Sequence, residues 1–133
     1  MKFHVSFLVS LAVIIFCPKM SFSESPKNTT PSKYLQHVVA FKFKEDATKG
    51  QIQEVEKAFV ALKEKIPEIV ALEWGTNNSP EGLNKGFTHC FIVTFRNESG
   101  REVYLPHPDH KAFVKILKPI LADVFVIDFW TKN

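Results

Sequence analysis

"FTHCFIVTF", residues Phe87–Phe95, is the stretch on which the fold turns. Phe87, His89, Phe91, Val93 and Phe95 fall on one face and Thr88, Cys90, Ile92 and Thr94 on the other, the period of two that marks a β-strand. Apolar residues occur on both faces. The closing stretch "VFVIDFW", Val124–Trp130, repeats that two-sided character. Helices of the same chain can cover one side of a sheet built from such strands, and the other side then needs a second subunit.

Working outward, "HVVAFKFK" (His37–Lys44) alternates His37, Val39, Phe41 and Phe43 against Val38, Ala40, Lys42 and Lys44, which predicts a first strand with one strongly apolar face. Thr48 followed by Gln51 is a capping-box signal. Ile52, Val55, Phe59, Leu62 and Ile66 then recur at helical spacing until Pro67 stops the run. "IVALEWG" supplies a second strand ending at Gly75, and "TNNSPEGLNKG" a turn-rich loop expected to rim a pocket. From Arg101 to Leu121, Val103, Phe113, Ile116, Leu117 and Ile120 follow helical spacing, but Pro106 and Pro108 divide the segment into a short first helix and a longer second. The order strand, helix, strand, strand, helix, strand predicts an α+β ferredoxin-like domain with an antiparallel sheet and both helices on one face. Two such sheets packed face to face would close a dimeric α/β barrel.

The chain has 133 residues and a formal charge of +3. Residues 1–23 read as a secretory signal peptide: Lys2 and His4 lead the apolar run Val5–Phe16, and Ser21 and Ser23 stand before a cleavage at Glu24. That run is too short for stable membrane insertion. A lipid-attachment reading of Cys17 is disfavoured by the bulky Phe16 before it. Residues 24–33, "ESPKNTTPSK", predict a disordered linker, leaving residues 34–133 as the domain. A secreted or periplasmic location follows. Loss of the leader removes Lys2 and Lys19 and lowers the charge to +1, and Arg96 and Arg101 are the only arginines, so nucleic acid is not an expected partner. Cys90 is then the sole cysteine, expected as a buried inert thiol. Asn28-Thr29-Thr30 and Asn97-Glu98-Ser99 are glycosylation sequons.

"YLPHPDH" (Tyr104–His110), "WG" at Trp74 and Gly75, "GFTHCFIVTF", "HVVAFKFK" and the "V.DF" of Val126–Phe129 together resemble the stress-responsive α/β barrel family of dimeric ferredoxin-like domains. Within it the chain is similar to a plant polyketide cyclase that closes a ring by intramolecular aldol condensation without a cofactor. That resemblance implies a catalytic Tyr104 and His110, and a cavity that His37 and His89 also line. Phe41, Phe59 and Trp74 are the remaining candidates for contact with a small hydrophobic or aromatic ligand.

Such a condensation needs a base to remove a proton α to a carbonyl and a donor to steady the enolate oxygen; neutral histidine suits the first task and a phenol the second. The competing reading is structural: Tyr104 hydrogen-bonds His110 because buried polar groups need partners, and aromatic side chains fill the space between helices and sheet. His107 with Pro108 and Asp109 reads as an ordinary helix start. A metal site among His37, His89, His107 and His110 is not expected, because no carboxylate stands beside the strand histidines in sequence and Pro108 disturbs the helical register. "GTNNSPEG" lacks the Lys-Ser/Thr of a phosphate loop. Two classes therefore stay open: a homodimeric, small-molecule-binding or stress-related protein without established catalysis, and a cofactor-free cyclase-like lyase.

Overall fold

The computed structural model describes residues 33–132. The expected signal peptide, Asn28 and nearly all of the linker lie outside them. The elements run β1 (Leu35–Phe43), α1 (Lys49–Val60), α2 (Leu62–Lys65), β2 (Ile69–Thr76), β3 (His89–Phe95), α3 (Glu98–Tyr104), α4 (Pro108–Leu117) and β4 (Leu121–Trp130). The strands form one antiparallel sheet in the order β2-β3-β1-β4, a ferredoxin-like α+β arrangement with the chain's first and third strands at its centre.

Local chemistry explains the helix boundaries. Thr48 accepts from Gln51 N while the Gln51 side chain reaches back to Thr48 N, so the capping box forms as the spacing predicts. The single helical run expected from Ile52 to Ile66 is divided at Ala61, and Ile66 turns to an extended conformation before Pro67 because proline crowds the residue preceding it. Asn97 caps α3 by accepting from Gly100 N at 3.0 Å. His107 caps α4: its Nδ1 accepts from Asp109 N at 3.2 Å, with Pro108 in the first turn, where its missing N–H costs nothing.

Leu35, His37, Val39 and Phe41 of β1 and His89, Phe91, Val93 and Phe95 of β3 point toward the helices and are buried. Phe59 of α1 stacks on Phe91 with ring centroids 4.2 Å apart and meets Phe113 of α4 at 4.7 Å, so one aromatic cluster joins both helices to the sheet. Among the described residues none covers the opposite face of the sheet. Phe125, Ile127 and Phe129 project from it half-exposed beside Val38, Ala40 and Ile92.

Three side chains depart from the sequence pattern. Phe87 precedes the regular part of β3, so alternation does not hold there; its ring meets Phe125 on the uncovered face at 6.4 Å. Val103 is exposed, because α3 buries the face carrying Tyr104 instead. Cys90, expected to be buried, is exposed on the same uncovered face.

Candidate functional site

Between β1, β4, α3 and α4 lies a cavity of about 560 Å³. Its apolar walls include Phe41, Phe59, Phe113 and Leu117, and its polar end carries His37, His110, Arg101 and Asp128. The antiparallel register sets His37 of β1 directly across from Asp128 of β4. His37 Nδ1 donates to Asp128 Oδ1 at 2.7 Å, and Arg101 Nη1 donates to the other carboxylate oxygen, Oδ2. His110, in the first turn of α4, donates from Nδ1 to the carbonyl oxygen of Leu105 at 2.9 Å. A carboxylate and a carbonyl can only accept, so both imidazoles carry a proton on Nδ1. Neither Nε2 has a protein partner among the described residues.

Tyr104 sits behind this pair. Its ring centroid is 4.3 Å from that of His110 and 5.9 Å from that of His37, and the residue is 1% exposed. The hydrogen bond between Tyr104 and His110 expected in the structural reading is absent: His110 Nδ1 is committed to Leu105, and the two rings pack against each other tilted by 43°. Burial pushes the Tyr104 phenol well above its ordinary value, so it stays protonated. Burial lowers the His110 pKa; the Leu105 carbonyl opposes that shift and the neighbouring His37 and His107 add to it. His110 is therefore neutral at pH 7, the form a base requires.

His89 occupies a different corner. It lies opposite Phe41, four residues along β1 from His37, which is about 13 Å at the ordinary rise of a strand. Its Nδ1 pairs with Thr88 Oγ1 at 2.8 Å and its Nε2 with Glu56 Oε1 at 3.0 Å, so both ring nitrogens are occupied. Trp74 lies parallel to it, and both border a separate recess of about 510 Å³ that opens beside Cys90 and the β2–β3 loop. The structure thus brings together His37, Phe41, Phe59 and His110 around one cavity, sets Tyr104 directly behind the imidazoles, and puts His89 and Trp74 elsewhere.

The description "Stress responsive A/B Barrel Domain" matches residues 35–131. The chain belongs to this family. Among curated A/B barrel proteins it is 34% identical over 95 residues to stress-response A/B barrel domain-containing protein HS1 of Arabidopsis thaliana, covering 71% of this chain and 87% of the relative. To olivetolic acid cyclase of Cannabis sativa it is 27% identical over 95 residues, covering 71% and 94%. Among solved structures it resembles a dimeric ferredoxin-like protein of unknown function from Thermobifida fusca, with a TM-score of 0.62, 28% identity and coverage of 73% and 90%.

Two carboxylates that sequence adjacency does not reveal stand beside the strand histidines in the fold. Asp128 pairs with His37 and Glu56 with His89, both from other elements, so neither is visible as a near neighbour in sequence. Arg101 was legible only as one of two arginines. The signal for Asp128 was present in the "V.DF" element: a lone acidic residue among apolar neighbours in a strand calls for a partner.

Proposed function

We propose that this A/B barrel protein is a secreted homodimer that binds a small, largely apolar molecule in the cavity beside His110. The observation that carries the reading is a 560 Å³ space with an aromatic and aliphatic body and, at one end, two imidazoles whose Nε2 atoms lack protein partners. Ligand sites commonly combine an apolar lining with a few converging polar groups. Phe41, Phe59 and Phe113 line this space, which reaches His110 but not the buried Tyr104. The leader at residues 1–23 supports secretion.

Dimerisation is supported by the uncovered sheet face, where Phe125, Ile127 and Phe129 are 50%, 48% and 48% exposed, and by the dimeric state named for the Thermobifida fusca relative. Fully burying one such side chain is worth about 1.5–3 kcal/mol, so a shared face of this kind holds two copies together. Phe125→Glu is expected to convert the dimer to monomer in sedimentation velocity with its helical circular dichroism retained; a dimer that survives Phe125→Glu means that another surface holds it.

A second reading, cyclase-like lyase chemistry, is favoured by the bare, neutral His110 Nε2. That atom takes a proton α to a ligand carbonyl, the electron pair forms an enolate, and the enolate carbon attacks a second carbonyl of the same molecule. The imidazolium then returns its proton to the new alkoxide. Deuterium uptake from heavy water into a bound 3-oxo acid tests the first half of this sequence. Binding without uptake leaves a binding protein and removes the lyase reading; absence of binding removes both.

A further inference from the structure

The cavity's polar end is unevenly satisfied. Asp128 has both oxygens engaged, Oδ1 accepting from His37 and Oδ2 from Arg101, so neither is turned toward a ligand. Arg101 donates one of the five N–H bonds a guanidinium carries, and no other acceptor pairs with its side chain among the described residues. That side chain is a quarter exposed and forms part of the cavity wall together with Leu105, one helical turn on. Asp128 also fixes its direction: held at one nitrogen, the planar fork has its remaining edge available at a defined place.

We infer that Arg101 is a carboxylate subsite, and that the ligand of this cavity is a carboxylic acid bound as its anion, its apolar or aryl body seated against Phe41 and Phe113. The inference rests on the binding reading above and narrows its substrate class. A guanidinium that commits one N–H to a single carboxylate leaves its remaining cationic donors as the unmatched group at this end. Planar paired donation to a carboxylate is what a guanidinium provides and an ammonium does not. The two Nε2 atoms then face the portion of the ligand adjoining its carboxylate, the position where a 3-oxo acid carries its acidic C–H.

The test is calorimetric titration of the protein with octanoate and with octanamide, which share a body and differ in head-group charge. The expected result is octanoate binding about ten- to a hundredfold more tightly, the range charge-assisted hydrogen bonds supply. Arg101→Gln should abolish the preference while octanamide affinity is kept. Because that substitution also bares Asp128, which by itself would repel an anion, the variant carrying both Arg101→Gln and Asp128→Asn is the control. If Arg101 contacts the carboxylate, the preference stays lost there; if it returns, Arg101 only masked Asp128 and the subsite is overturned. Equal wild-type affinity for the two probes overturns the subsite and leaves the binding reading standing, whereas failure of both probes to bind removes the binding reading and the subsite with it.

Discussion

His110 and His89 belong to the same sheet-and-helix layer, and both were candidates for one cavity, yet the fold gives them opposite circumstances. His89 is held at both nitrogens, by Thr88 and Glu56, and packs edge-on against Phe43 at 5.1 Å. His110 is held at Nδ1 alone and borders open space. Residue type does not separate the two, and burial does so only by degree, His89 being buried and His110 half-buried. What separates them is which ring atom lacks a partner: a fully paired imidazole must break a hydrogen bond before it accepts a proton, and a half-paired one is already held in the basic tautomer.

The largest expected effect breaks this contrast directly. His110→Ala should lower deuterium uptake into a bound 3-oxo acid by about 10²- to 10⁴-fold, the usual contribution of a positioned base. His89→Ala should leave that rate within a few-fold of wild type. Equal losses in the two variants would mean that the corners act as one site and that the hydrogen-bond criterion is wrong.

The next effect is on stability and runs the other way. Glu56→Ala leaves His89 Nε2 buried without its partner, and a buried polar group so deprived costs about 1–3 kcal/mol. Urea denaturation should register that loss, with ligand affinity at the distant cavity unchanged. If Glu56→Ala is neutral in urea, water replaces the carboxylate and His89 is less committed to structure than its contacts suggest.

These two corners also mark where sequence reasoning succeeds and where it stops. The strands, the Thr48–Gln51 cap, the His107–Pro108 helix start and the ferredoxin-like order follow from periodicity and turn chemistry, which are local properties. The two-faced pattern of β3 likewise anticipated a sheet with one side uncovered. The partners of the histidines follow from strand register and helix placement: Asp128 is 91 residues from His37, and Glu56 is 33 from His89. No spacing rule joins such pairs. Alternation misplaced Phe87, where the strand had not yet begun, and the resemblance that put His37 and His89 in one lining carried no information on their distance along a shared face.

The smallest effect concerns protonation. Burial holds the His110 pKa below its ordinary 6.5, with His37 and His107 contributing repulsion against the Leu105 carbonyl. As pH falls from 7, the unfolded chain takes up this proton before the folded one does. The unfolded state binds more protons in that window, so stability declines as pH drops through 6.5 toward the folded-state value and is unaffected by His110 above it. The His110 ring signals in a proton NMR titration should shift below pH 6.5, and the acidic limb of any deuterium-uptake profile should follow the same midpoint. A midpoint above 6.5 would mean that a negative charge, with Asp128 the one at this end of the cavity, outweighs desolvation. His110 would then carry more positive charge near neutral pH, and the contrast with His89 would rest on geometry alone.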